Sequence, residues 1–345
     1  MKLSIIVPVY NMNHDNILKF CLDSLIDQTI EDYEIIAVDD ASSDDSFSLL
    51  KDYEKKYPGK FKALSDKVNK RQGGAKNEGL KAATGEWIGF IDSDDWITPD
   101  FYEKLIKKAE ETGADVVGCS YSIVETQTFE PGRTVENNSQ DQTGVFEDEE
   151  PMKLRKKYMF RPGSMVIKIY RHAVIKENNL NFPENIFYED NCASRVWAAY
   201  FKHFELVNEP MYFYYQHGVS TVHTVTEERC MDRMKSMELM VAEFKERNIY
   251  EKYKDVLEAV FAELYFKNTL FSYMLGCDRK RYAFIKKLRK GILEAFPDFM
   301  KNELFEIPDA EEKKMVDLCL KAPFVFYVYY NMLWKYRNLR SKEKR

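Results

Sequence analysis

Clusters of aspartate at the ends of apolar, strand-like runs constrain this chain more than any other feature. Glu34 to Val38 is one such run and ends in Asp39-Asp40; Trp87 to Ile91 is another and ends in Asp92-Ser93-Asp94-Asp95. Both sit inside an alternation of strand and helix signals. Leu3 to Val9, Phe61 to Leu64 and Asp115 to Ser120 read as further short strands. Between them fall four helical patterns. The first carries Ile17, Phe20, Cys21 and Leu25 on one face. The second, capped by Ser43 or Asp44, carries Phe47, Leu50 and Tyr53. The third opens from a glycine-containing loop at about Ala75 to Ala83, and the fourth starts at Thr98-Pro99-Asp100, with proline in its first turn. Short strands alternating with helices predict a parallel sheet covered on both faces. In such open sheets ligands bind beyond the carboxyl ends of the strands, where both aspartate clusters fall.

Crowded carboxylates repel one another and call for a divalent cation or a set of hydrogen-bond donors. An all-oxygen set suits Mg²⁺ or Mn²⁺ rather than zinc. Such a cation can hold a diphosphate and neutralise its charge as it leaves. Aspartates after strands also serve as turn formers and helix caps, which is how Asp44, Asp45 and Asp100 are read. Asp92, Asp94 and Asp95 place more acid at one spot than a cap needs.

The rest of the chain divides in two. Residues 125–150 are polar and irregular, a loop or a short exposed hairpin. Ser164 to Tyr170 reads as a strand, Asp190 to Phe201 as a helix, and Met211 to Tyr215 as a tyrosine-rich edge strand. After Thr226 long 3.6-residue periods take over: Met231, Met234, Met237 and Met240, then Val256, Val260 and Leu264. The expected organisation is an α/β domain over 1–225, with halves 1–120 and 121–225, and a helical region over 226–345. With 45% hydrophobic residues a sizeable core is available, and a net charge of −6 with interspersed signs argues against general nucleic-acid affinity. The six cysteines are scattered, which fits a reducing compartment. Met1 to Pro8 enters a strand without the apolar core of a signal peptide, and no stretch approaches the roughly 20 apolar residues of a membrane span. The expectation is a cytoplasmic protein.

Four segments in order resemble family 2 glycosyltransferases of the GT-A fold: Ser4-Ile5-Ile6-Val7-Pro8-Val9-Tyr10-Asn11, Val38-Asp39-Asp40-Ala41-Ser42-Ser43-Asp44, Gly73-Gly74-Ala75-Lys76-Asn77-Glu78-Gly79 and Asp92-Ser93-Asp94-Asp95. The third corresponds to a family pattern that usually reads Gly-x-Ala-x-Ala-Arg-Asn-x-Gly. The resemblance is firm over about residues 1–120 and looser to about 225. It implies a mixed, mostly parallel sheet flanked by helices, and an inverting transfer from a nucleotide-sugar, a UDP-sugar, to a saccharide or lipid-linked acceptor. By similarity, Pro8 and Tyr10 line the base pocket, Asp40 accepts a base N–H with Asp39 close by, and Asp92 and Asp94 form the Asp-x-Asp pair. Asp94 and Asp95 stand on the metal side. Lys76 stands where the family commonly has arginine, a cation beside the base or diphosphate with the fork geometry lost; the alternative is a solvated helix lysine. In Phe187-Tyr188-Glu189-Asp190-Asn191 the resemblance makes Asp190 the base, the alternative being acids that complement a helix dipole. In Tyr214-Tyr215-Gln216-His217-Gly218-Val219-Ser220, Gln216 departs from the family's arginine, and His217 or His223 is a candidate contact to metal or diphosphate. Trp96 and Trp197 are read as core, the alternative being stacking on a sugar ring.

Residues 322–334 are densely aromatic and aliphatic, and after them Lys335, Arg337, Arg340, Lys342, Lys344 and Arg345 face Glu343 alone. That pairing suits an anionic membrane interface at the inner leaflet; the alternative is packing on other helices or a second subunit. Among rival functions, an oxidoreductase lacks its Gly-x-Gly-x-x-Gly after the first strand, and a sugar nucleotidyltransferase lacks its Gly-rich, Arg-containing loop there. A non-catalytic nucleotide-sugar-binding protein is separated from an enzyme by a transfer assay with Mn²⁺.

Overall fold

The computed structural model describes residues 1–146, 152–216 and 225–342. The chain forms two compact units, Met1–Gly218 and Val219–Arg345.

In the first unit the strands are β1 (Leu3–Val9), β2 (Tyr33–Asp39), β3 (Phe61–Ser65), β4 (Trp87–Phe90), β5 (Trp96–Ile97), β6 (Val116–Val124), β7 (Arg133–Val135), β8 (Gly144–Val145), β9 (Lys168–Arg171) and β10 (His203–Tyr215). The helices are α1 (Ile17–Ile26), α2 (Ser46–Lys56), α3 (Arg71–Ala82), α4 (Phe101–Thr112), α5 (Met152–Phe160), α6 (His172–Glu177) and α7 (Glu189–Ala198). They build one sheet in the order β3-β2-β1-β4-β9-β6-β10-β5, with β7 on β6 and β8 on β10. β3, β2, β1 and β4 run parallel. β9 is antiparallel to both β4 and β6, so β6 and its parallel partner β10 point the same way as β1. Every residue of β1 is buried, because helices cover both faces of a central parallel strand. That is why it reads as an unbroken apolar run rather than an alternation. The carboxyl ends of β1, β2 and β4 therefore share one rim.

The mixed, mostly parallel sheet is as expected; several element limits differ. α3 starts a turn before Ala75, at Arg71, which has φ +66°. The strand expected over 164–170 is confined to β9, because residues 162–165 are drawn aside: the Lys168 amine donates to the carbonyls of Pro162 and Ser164 at 2.7 and 2.6 Å. Met211 to Tyr215 is not an edge strand. It is the end of β10, which has β6 along one side and the short β5 and β8 along the other. The missed half holds Glu205, Asn208, Glu209 and Pro210, and the register shifts on either side of Pro210, as expected where a residue cannot donate to the ladder.

The second unit holds α8 (Glu227–Glu246), α9 (Tyr250–Val260), α10 (Thr269–Gly276), α11 (Tyr282–Ala295), α12 (Ala310–Lys321) and α13 (Pro323–Lys342), with π-helical turns over Phe261–Asn268 joining α9 to α10. Met234, Met237 and Met240 are buried as their period requires. α13 buries Phe326 and Tyr330, while Phe324, Val325, Val328, Tyr329 and Met332 are exposed. Among the described residues no helix is long and apolar enough to cross a membrane.

Candidate active site at the carboxyl edge of the sheet

β1 leaves the sheet through buried Pro8 to Tyr10, which is 49% exposed. Beyond it Asn11, at φ +51°, ties this exit to the turn after β2. Its N–H donates to Ser42 Oγ at 2.9 Å, and its Oδ1 accepts the Ser43 N–H at 2.7 Å. The two aspartates at the end of β2 have different surroundings. Asp40 is buried and its Oδ1 accepts the Lys70 N–H at 2.7 Å, which anchors the loop entering α3. Burial pushes its pKa up to about 6, helped by Asp66 and Asp39 and opposed by the N–H groups of Lys70 and Arg71. Asp39 Oδ2 accepts from the Ser42 N–H and the Ser65 hydroxyl at 3.2 and 3.3 Å. Its Oδ1 is buried and has no partner among the described residues. A buried acceptor left unmatched costs about 1–3 kcal/mol, so this oxygen is suited to a donor from outside the protein.

The acidic block after β4 also divides its roles. Asp95 is 1% exposed and both its oxygens are engaged within the protein. The Tyr212 hydroxyl donates to Oδ2 at 2.5 Å, and the Tyr215 N–H to Oδ1 at 2.9 Å. Asp95 thus fastens the end of β10 to the exit of β4. Burial and the neighbouring Asp94 and Asp92 push its pKa well above the carboxylate range. Asp92 Oδ1 accepts from Gln72 Nε2 at 2.8 Å. Burial raises the Asp92 pKa to about 6; Lys76 opposes this, while Asp94, Glu189 and Asp190 add to it. Asp94, half-buried, lies between these two.

That Asp190 acts on Asp92 brings the third part of the site into view. α7 begins at Glu189 after Tyr188, whose φ is +63°. Glu189 is buried, and its Oε1 meets the Lys76 amine at 2.8 Å. Lys76 is neither solvated nor open to a ligand: it is 3% exposed. Burial works against its charge, but Glu189, Asp92 and Asp190 outweigh that and hold its pKa above the ordinary lysine value. Asp190 itself is half-buried, with Oδ1 accepting the Asn191 N–H at 2.9 Å. Burial and then Glu189 raise its pKa, against Lys76, Arg195 and the Asn191 N–H. A carboxylate so disposed is a stronger base than one in water.

A cation would offset the burial and the neighbouring carboxylates that lift Asp92 and Asp95. Yet among the described residues no group of three or more His, Cys, Asp or Glu side chains is arranged to hold a metal ion. Mg²⁺ and Mn²⁺ need no such cage, since one or two carboxylates with substrate phosphates suffice. Carboxylate oxygens of the kind such a cation takes are supplied at this edge by Asp92 and half-buried Asp94.

His217 and His223 lie outside the described residues. Trp96 and Trp197 are core: the Trp96 indole donates to Thr128 O, and Trp197 packs among Phe90, Tyr170, Phe182 and Phe201. Three residues escaped the sequence reading. Gln72, one helical turn before Lys76, carried a spacing signal. Glu189 was visible only as half of an acidic pair. Tyr212 gave no sign, because its partner Asp95 is remote in sequence.

The model of the family described as "Glycosyl transferase family 2" matches residues 4–177. The chain is 32% identical over 263 residues to EpsH of Bacillus subtilis (strain 168), named as a glycosyltransferase, covering 74% of this chain and 73% of that one. To YibD of Escherichia coli (strain K12), also so named, it is 32% identical over 225 residues, covering 64% of this chain and 62% of YibD, so that match spans less than two thirds of its relative. Among solved structures, Staphylococcus aureus TarS 1–349 superposes with a TM-score of 0.70 at 21% identity, covering 97% of this chain and 91% of that one. The architecture is the GT-A fold.

Proposed function

The chain belongs to glycosyl transferase family 2, and from that premise we propose that it moves a sugar from a UDP-sugar to an acceptor hydroxyl with inversion at the anomeric carbon. The observation that carries this is one charge cluster drawn from three elements: Asp92 after β4, Lys76 on α3 and Asp190 at the head of α7. Residues 1–120 hold the nucleotide and 121–225 shape the acceptor side. Pro8 and Tyr10 line the base pocket and Asp39 accepts the base N–H, with Asp40 bracing the loop behind it. Asp92 faces the ribose. Asp94 would hold Mn²⁺ or Mg²⁺, which when bound would neutralise charge on the leaving group. His217 is a further contact by resemblance alone. Asp190 takes the acceptor hydroxyl proton as that oxygen bonds to the anomeric carbon. The bond from that carbon to the diphosphate oxygen breaks, and UDP departs with its electron pair.

The sequence relative TarS of Staphylococcus aureus, 27% identical over 277 residues, is named a poly(ribitol-phosphate) beta-N-acetylglucosaminyltransferase, and its 1–349 fragment has been solved in complex with UDP-GlcNAc. This supports a UDP-linked donor and an acceptor in cell-surface polysaccharide or glycoconjugate synthesis. The exposed apolar side chains of α13, followed by six cations against one glutamate, support contact with an anionic inner leaflet, where a lipid-linked acceptor would reside.

The test is Asp190→Ala. UDP binding should be retained, and transfer should fall by about 10²–10⁴-fold, the range for loss of a general base. Normal turnover in that variant rules out the assignment of the base.

A further inference from the structure

The inward face of α3 makes a continuous polar line from the donor side of the site to the base. The Gln72 amide nitrogen donates to Asp92 Oδ1 at 2.8 Å, and its oxygen accepts from the Lys76 amine at 3.5 Å. The same amine donates to Glu189 Oε1 at 2.8 Å, and Asp190 follows in the chain. Gln72 and Lys76 are four residues apart, so one helix face presents both.

The segment leading to Asp190 is fastened to α3 along its whole length. Asn77 Oδ1 accepts the Phe182 N–H at 2.9 Å, and its amide nitrogen donates to Phe182 O and Glu184 Oε1, both at 2.9 Å. The Asn185 N–H donates to Lys70 O at 2.9 Å. Gly73 lets the Pro183 carbonyl lie against the helix, where a Cβ would collide with it. The Arg71 guanidinium lies 4.0 Å from the centre of the Phe187 ring. Asn185 and Tyr188, at φ +62° and +63°, sit in backbone conformations that non-glycine residues rarely adopt. Surroundings must over-determine such a turn for it to persist.

We propose that the buried Lys76–Glu189 ion pair is a positioning device for transfer, fixing the first turn of α7 so that Asp190 stands at the height of the anomeric carbon. The proposal rests on Asp190 being the base. Both partners are 4% exposed or less, and a buried pair is often no more stable than an apolar pair of the same volume. Its consequence is geometric: the amine has a single place between Gln72 and Glu189, with the Phe182 ring centre 5.2 Å away. Lys76 acts on the donor only from behind, through Gln72 and Asp92.

The experiment compares Lys76→Met, the double variant Lys76→Met/Glu189→Leu, Lys76→Arg and Asp190→Ala in the full chain. UDP affinity is read by calorimetry, and kcat and KM by transfer. The double variant removes both charges at once, so it leaves no unpaired buried ion and answers even if Lys76→Met does not fold. Both methionine variants should bind UDP within about twofold of wild type and lose about 30-fold or more in kcat, as expected when a reacting group is misplaced by an ångström or less. Lys76→Arg should recover most of that loss. Wild-type kcat in the double variant overturns the proposal, and so does a tenfold loss of UDP affinity at unchanged kcat, which would make Lys76 a donor contact. Normal turnover in Asp190→Ala sinks the base reading instead; an inactive Asp190→Ala beside an active double variant sinks only the positioning role.

Discussion

Asp94 and Asp95 are adjacent in the chain and differ in what they hold. Asp95 gives both oxygens to β10, through Tyr212 and the Tyr215 N–H. Asp95→Ala should therefore lower unfolding free energy by about 1–3 kcal/mol, since it strands two buried donors; urea denaturation reads this directly. Asp94→Ala should abolish the Mn²⁺-dependent part of the thermal shift given by UDP, which Asp95→Ala should retain. The opposite pattern would exchange their roles. Asp190 carries a pH prediction. Transfer requires it ionised, and burial with Glu189 beside it raises its pKa. The acid limb of the kcat profile should thus lie above the ordinary carboxylate range of about 4, with activity lost as pH falls through it. A limb at or below that range would contradict the environment described. At this scale the acidic motifs were legible in the sequence because strand ends and aspartate runs are local signals. The internal partners of Asp39, Asp40 and Asp95 beyond their own turns were not, because each comes from elsewhere in the chain.

α3 is the element on which most of the site converges, and Gly73 is specific to that role. Gly73→Ala would drive a Cβ into the Pro183 carbonyl. The expected cost is about 1–3 kcal/mol of stability, with transfer reduced more than UDP binding, because the displaced segment carries Asp190. Unchanged kcat would mean that this segment does not set the base. β9 carries a test of the sheet. Burial lowers the Lys168 amine to a pKa of about 7, with Arg195 adding to this and Cys119 opposing it. Below that pH the amine is charged in both folded and unfolded chains. Between about 7 and the usual lysine value near 10.4, only the unfolded chain holds the proton, so this group makes stability rise with pH. Denaturation at pH 7 and pH 9.5 should show the rise in wild type and its absence in Lys168→Met; equal slopes would mean the amine is solvated. The central strands were readable from their apolar runs. β10 was only half legible, because a polar stretch and Pro210 interrupt the pattern even though β6 pairs along it. The limit of β9 escaped because the lysine at its start is satisfied by loop carbonyls rather than by water.

At the scale of the whole molecule, the first unit carries the site and the second ends in a helix with an exposed apolar face. Replacing exposed Phe324, Val328 and Met332 by serine should reduce co-sedimentation with phosphatidylglycerol vesicles severalfold, while leaving binding of UDP unchanged; equal sedimentation would remove the membrane from the account. The fold class was legible over the first 120 residues, where strand–helix alternation is strict. The helical unit was visible only as a change of period, since 3.6-residue spacing says which faces are buried and not what they bury against. The central claim is that the carboxyl edge of the sheet grips a nucleoside diphosphate through a cation at Asp94. The most direct measurement is calorimetric titration of the full chain with UDP in Mn²⁺ and again in EDTA. The account predicts one site per chain, weakened by at least about tenfold, or ~1.4 kcal/mol, when the metal is removed. Equal affinity in the two buffers, or none in either, would contradict it.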